Sequence, residues 1–251
     1  MNMYQKRTYR NLIHDNKLTP ERSDRGLTYF QVAVKETDLY IGANKDLSKE
    51  VREAVLKYRY QIEEYIRRFP EFQKSLIPLP LDPFAPRIIK AMMEASSLTG
   101  TGPMAAVAGG ISEFIGKELL NQSEEIIVEN GGDIFLKTSS KTSIGIYAGT
   151  SPLSNRIGIK INPDDTPLGV CTSSGTVGHS ISFGRADAVT VVSKSALLAD
   201  AAATSVGNLV KDKRDFNRAL EFAGKIDGIL GVLIVLGKEM AVYGKVELIE
   251  I

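Results

Sequence analysis

Residues 29–34 and 38–43 are mostly apolar stretches of strand character, with the polar stretch Lys35-Glu36-Thr37 between them. That pattern predicts an early β-hairpin. Beyond it Val51, Val55, Tyr58, Ile62, Tyr65, Ile66 and Phe69 recur at spacings of three and four. This predicts a helix with one apolar face. Asp46 or Ser48 can cap its start and Pro70 stops it, while its charged opposite face reads as solvated surface.

Pro78, Pro80, Pro83 and Pro86 punctuate a connector over residues 76–86 that can be neither regular helix nor central strand. Residues 88–95 have helical spacing, the run Thr99-Gly100-Thr101-Gly102 breaks it, and Pro103 suits the first turn of a helix reaching about residue 120. Gly109-Gly110 inside that helix costs about 1 kcal/mol per glycine relative to alanine. Such a cost is accepted where a backbone or a ligand comes close, and tight helix–sheet packing explains it equally well. Strands are expected at residues 125–129, 134–137, 143–148, 157–161, 188–192, 229–236 and 246–251, and helices at 194–210 and 215–223. Strands and helices interleaved with hairpin-length connections indicate an α+β fold of mixed sheets with packed helices. The chain reads as a single domain, or as two intertwined lobes meeting at the proline-rich connector.

Composition narrows the function. With 251 residues the chain can bury a substantial core, and its net charge of +1 gives no field favouring nucleic acid or an anionic membrane. No run approaches the roughly 20 apolar residues that span a bilayer. The polar, basic residues 1–10 do not form a secretory signal. One cysteine excludes an internal disulfide, and two histidines with it make a zinc site from those ligands unlike the usual sets. A reducing cytoplasm is the expected compartment.

Three stretches carry candidate chemistry. Asn130-Gly131-Gly132-Asp133 sits where a tight turn would sit, and Asn-Gly alone explains it. The same bare backbone would let a ligand approach its amides, with Asp133 bonding a polar edge. Thr172-Ser173-Ser174-Gly175-Thr176 offers hydroxyls and successive amides able to form a concave anion site, or simply a hydroxyl-rich turn. Asp200 and Thr204 are four apart, so on a helix they share a face and can give two oxygens to Mg²⁺. The plainer alternative has Thr204 bonding a carbonyl one turn back. Cys171, His179 and Asp187 can be drawn as nucleophile, base and orienter of a cysteine-dependent hydrolase, although a cysteine ending an apolar strand is usually buried and inert. His14 lies in a polar segment and reads as a surface residue.

In the order and content of these stretches the chain resembles the ApbE-like superfamily, whose best-known members are FAD:protein FMN transferases. The resemblance rests on a Gly-rich helix over residues 109–120, the NGGDI segment at 130–134, the TSSG run at 172–175 and the ADAAAT segment at 199–204. It is closest to an uncharacterised branch carrying GPMAAVAGGISE, VENGGDIFL, CTSSGTVGHSISFG and LADAAATSVGN. It implies Mg²⁺ on Asp200 and Thr204, and FAD or FMN lined by Asn130, Gly131, Gly132, Asp133, Thr172, Ser173, Ser174 and Gly175. His179 is the catalytic candidate, standing where the transferases carry an H-x-I-D-P-x-T-G segment whose Asp-Pro and Thr-Gly are missing here. A nucleotide ligand, a protein acceptor and a homodimer are the implied partners. Alternatives are a non-catalytic binding or assembly module on the same fold, and the cysteine hydrolase.

Overall fold

A computed structural model describes residues 26–175 and 183–251. The expected early hairpin forms from β1 (Thr28–Val34) and β2 (Thr37–Ala43), and Lys35 adopts a positive φ of 52° in its turn. The amphipathic pattern folds as α1 (Ser48–Arg68), whose Val51, Val55, Tyr58, Ile62 and Tyr65 are buried. Asp46 accepts the Ser48 amide at 2.8 Å beside its first turn. The one-turn α2 (Glu71–Lys74) precedes the proline-rich connector, and α3 (Arg87–Thr99) follows it. The helix expected from Pro103 begins as a 3-10 turn (Pro103–Ala106) and continues as α4 (Val107–Leu119).

The remaining strands are β3 (Ile126–Asn130), β4 (Asp133–Lys137), β5 (Thr142–Gly145), β6 (Ile157–Ile161), β7 (Leu168–Ser173) and β8 (Ala188–Ser193). After α5 (Ala196–Leu209) and α6 (Phe216–Gly224), the chain closes with β9 (Ile229–Leu236), β10 (Glu239–Gly244) and β11 (Glu247–Glu250). Two strands differ from expectation. Cys171, Thr172 and Ser173 lie in the β7 ladder rather than in a loop, because β-branched Thr172 pairs across with Thr190. β10 is an extra edge strand whose side chains are mostly exposed, so burial left no alternating signature in its sequence.

An eight-stranded sheet runs in the order β1-β2-β3-β4-β7-β8-β9-β10, beside a three-stranded sheet β11-β6-β5, and each described ladder is antiparallel. The large sheet consists of two strand–strand–helices–strand–strand units. One is β1-β2, the helices α1–α4 and β3-β4; the other is β7-β8, α5-α6 and β9-β10. They join edge to edge at β4 and β7. Alternation along β8 sends Val189 and Val191 to the helices, and Ala188 and Val192 to the three-stranded sheet. The molecule is therefore layered: helices, large sheet, small sheet. No helix among the described residues is long and apolar enough to cross a membrane.

Close approach of helix to sheet depends on particular glycines. A Cβ on Gly169 of β7 would lie 2.3 Å from Ala196 Cα, so α5 rests directly on bare strand backbone. At Gly131 a Cβ would meet nothing within 4 Å, and only its φ of +68° disfavours a side chain. Gly169→Ala is therefore expected to cost about 3 kcal/mol by overpacking, against about 1 kcal/mol for Gly131→Ala. Urea unfolding of the two variants checks the ranking.

Candidate functional site

Asn130, Asp133 and Asp200 come together at the seam between the two units, around the crossing of α4 and α5. Gly109, in the first turn of α4, lies so near α5 that a Cβ there would sit 2.2 Å from Ala196 O and 2.8 Å from Asp200 Cβ. The close approach expected of the glycine pair is thus made by a backbone. It lets each helix cap the other. Asp200 Oδ2 accepts the Gly109 amide at 2.8 Å, and its carboxyl also takes the Ala108 amide. Both belong to first-turn amides that lack an intrahelical partner. In return Glu113 of α4 accepts the Leu197 amide at 3.1 Å and the Ser195 hydroxyl at 2.8 Å, at the start of α5. Lys117 pairs with the second Glu113 oxygen at 2.5 Å.

The β3–β4 turn is sewn to the same helix end. Asn130 and Asp133 face each other in register, and Gly131 and Gly132 form the two-residue turn with φ of 68° and 111°. Asn130 Nδ2 donates to Ala108 O at 3.2 Å, and Ser112 Oγ donates to Asp133 O at 2.9 Å. The Gly132 amide goes to Glu129 Oε1 at 3.2 Å. A cavity of about 580 Å³ opens beside this turn, lined in part by Ile62, Ile66, Met104, Val107, Ile111 and Asn130.

Strand alternation sorts the hydroxyl run. Cys171 faces the helices, in register with Asp133, and its Sγ donates to Ala196 O at 3.3 Å. Ser173 faces them as well; its Oγ is buried with no hydrogen-bond partner among the described residues, and a Cβ on Gly207 would lie 3.9 Å from it. Thr172 points the other way, where its Oγ1 lies 2.9 Å from Thr190 Oγ1. Only the Thr172 amide reaches the Asp133 carboxyl. Ser174 is half-buried and Gly175 exposed just past the strand, where the Gly175 amide bonds Ala186 O at 2.9 Å. Thr204 is half-buried one turn beyond Asp200, and its hydroxyl makes no side-chain hydrogen bond among the described residues, so the carbonyl-bonded alternative is not adopted.

The two acids dominate the electrostatics. Asp133 and Asp200 are half-buried as residues, but their carboxyl groups are enclosed. Loss of water, with the Glu129 charge added, pushes Asp133 up to about 7 although the Cys171 thiol and Thr172 amide pull it down. Loss of water followed by the Asp133 charge raises Asp200 well above the carboxylate range, against the Gly109 and Ala108 amides. Neither acid has an ion pair among the described residues. Two desolvated carboxyls, with the Thr204 hydroxyl one helical turn from Asp200, are oxygen donors of the kind hard divalent cations accept, and a cation between the acids would reverse their repulsion. No cluster of three or more His, Cys, Asp or Glu side chains suited to a metal occurs among the described residues. A cation would therefore rest on two carboxyls, a hydroxyl, and carbonyl, water or substrate oxygens.

The cysteine nucleophile is not supported. Enclosure and the neighbouring charges of Asp133 and Asp200 push the Cys171 thiol well above its ordinary value, so it stays protonated, whereas the thiolate is the attacking form. Asp187 accepts the Gly237 amide at 2.7 Å, in the β9–β10 turn. His179 and His14 lie outside the described residues. The sequence reading did not name the Ala108 and Gly109 amides as partners of Asp200; the Gly109-Gly110 pair was its only signal.

Two expectations follow. Raising Asp133 from 3.8 to about 7 means its stabilising contribution is complete below about pH 4 and is lost as pH rises through 7. In EDTA the wild-type melting temperature should fall between pH 5 and pH 8 relative to Asp133→Asn; parallel profiles would contradict the shift. Cys171 should react with a thiol reagent only on unfolding, at a rate that tracks denaturant.

Comparison with known proteins places the chain. Residues 19–240 match a family model described as AbpE bacteria. A UPF0280 protein of Methanococcus aeolicus is 45% identical over 222 residues, covering 86% of this chain and 90% of the relative. A UPF0280 protein of Methanocaldococcus jannaschii is 40% identical over the same length, with the same coverage. Among solved structures, the flavin transferase ApbE from Vibrio cholerae superposes with a TM-score of 0.55 at 14% identity, covering 86% of this chain and 96% of that one. The apo flavinyl transferase ApbE of Pseudomonas stutzeri gives a TM-score of 0.57 at 14% identity, covering 86% and 93%. At such identities these likenesses speak to the fold, which is α+β with antiparallel sheets in both.

Proposed function

The chain belongs to the AbpE bacteria family, and on that footing we propose that it is a cytoplasmic protein that binds a flavin nucleotide, FAD or FMN, with Mg²⁺ and passes FMN to an acceptor hydroxyl on another protein. The observation that carries this reading is the enclosed Asp133–Asp200 pair, without an ion-pair partner among the described residues, with Thr204 one helical turn beyond Asp200. Asp200 and Thr204, with Asp133 beside them, would hold Mg²⁺. When bound, the cation would supply charge neutralisation at a pyrophosphate. The open space at Gly131, where a Cβ would meet nothing within 4 Å, offers room for a ligand to approach, and the buried Ser173 hydroxyl is a hydrogen-bonding group without a partner among the described residues. The cavity beside Asn130, where Ile62, Ile66, Val107 and Ile111 meet the charged Lys35, Arg59 and Glu63, has apolar walls on which a planar ring could rest. With FAD as donor, the acceptor oxygen bonds to the FMN phosphorus as the bond from that phosphorus to the bridging oxygen breaks; the acceptor proton passes to water and AMP departs with the bridging oxygen.

The missing Asp-Pro and Thr-Gly around His179 favour a second reading, in which the nucleotide is bound but not transferred. Calorimetry with FAD, with MgCl₂ or EDTA, tests the binding. Wild type should bind only with Mg²⁺, Asp200→Ala should weaken binding at least tenfold (about 1.4 kcal/mol), and Thr204→Ala should do so less. No binding of FAD, FMN or ADP by wild type would remove the proposal. Mg²⁺-dependent release of AMP from FAD separates transfer from binding alone.

A further inference from the structure

Away from this site, Arg87, Ala91, Glu94 and Leu98 recur at helical spacing as a stripe along the outer face of α3, and Phe84 stands in the turn before Pro86 that leads into the helix. Phe84 is 95% exposed and Leu98 54%. Arg87 and Glu94 are exposed, and neither has an ion pair among the described residues. The opposite face of the helix is committed to the core through Ile88, Met92 and Ala95. A cavity of about 960 Å³ flanks the stripe, lined by Pro86, Arg87, Ala91, Glu94 and Leu98 together with Phe114. With Phe84 ahead of the helix, the order along the chain is apolar, cationic, small, anionic, apolar. That order is the same backwards with the charges exchanged.

We propose that this face is a two-fold interface with a second copy of the chain, in which the two α3 helices cross antiparallel at Ala91. That arrangement sets Arg87 on Glu94 of the second copy and turns Leu98 towards the second copy's turn that carries Phe84, each contact occurring twice as two-fold symmetry requires. Ala91 at the crossing lets the helices approach within the usual 8–10 Å or so. A parallel pairing would set Arg87 on Arg87 and Glu94 on Glu94, so the charges themselves select the antiparallel one. A stable interface buries about 800 Å² per partner. The exposed Leu76, Ile77 and Leu81 of the proline-bounded connector lie next to the stripe in sequence and enlarge the apolar surface available. A charged glutamate in the middle of the stripe opposes burial in lipid.

The test uses charge reversal in the full chain, with mass measured by sedimentation equilibrium. Wild type should sediment at twice the 27.4 kDa of one chain. Arg87→Glu sets Glu against Glu and Glu94→Arg sets Arg against Arg, and each alone should weaken the dimer at least tenfold. Mixing the two variants should restore it, because every contact between unlike chains is then Glu with Arg; restoration also shows that both variants fold. A monomeric wild type, a single variant as dimeric as wild type, or a mixture that stays monomeric would each overturn the proposal.

Discussion

The crossing of α4 and α5 at Gly109 is the constraint on which the arrangement of the candidate site depends. Because Gly109 has no side chain, the Ala196 carbonyl can come within a distance that a Cβ would block. Each helix then supplies a carboxylate to the other's amino end: Asp200 to Ala108 and Gly109, Glu113 to Leu197 and Ser195. First-turn amides need acceptors, and the partial positive charge of a helix start favours an anion. A reciprocal arrangement satisfies both ends with one contact. It also draws the Asp200 carboxyl inward, towards Asp133, where two like charges are held apart from water. The raised proton affinity of the pair is the cost of that geometry.

Asp133 comes to this point from the other side of the molecule. The large sheet is made of two similar units joined at β4 and β7, and Asp133 and Cys171 are cross-strand partners on that seam. One acid therefore comes from the first unit and the other from the second. The β3–β4 turn holds its position through Asn130 and Ala108, and α5 through Gly169 and Ala196. The proposed interface lies on α3, whose inner face packs in the same helical layer, so it would leave the seam open.

Much of the architecture was legible beforehand. The periodic apolar positions of α1, the turn at Lys35-Glu36, the proline-bounded connector and the Gly-rich helix all declare themselves by local spacing, since each reflects backbone geometry within a few residues. β10 did not, because an exposed edge strand need not alternate. β7 was partly hidden, because small hydroxyl residues read as a turn until Thr190 is seen opposite Thr172. For the site, the acids and hydroxyls were recognisable as residues, but not their facing. Thr172 turns its side chain away from the carboxyls, whereas the neighbouring Ser173 and Cys171 turn theirs towards the helices.

By itself the sequence determined the element types, the α+β class, the resemblance to the ApbE-like superfamily and the one-turn pairing of Asp200 with Thr204, because propensity, periodicity and ordered motifs are properties of neighbouring residues. Only the tertiary structure decided that Asp133 and Asp200 share an enclosure, that Cys171 is a protonated neighbour rather than a nucleophile, and that Gly109 serves a helix crossing. Those outcomes depend on desolvation and on contacts between segments far apart in the chain. Dielectric surroundings and register are set when the sheet halves close, and no local pattern encodes them.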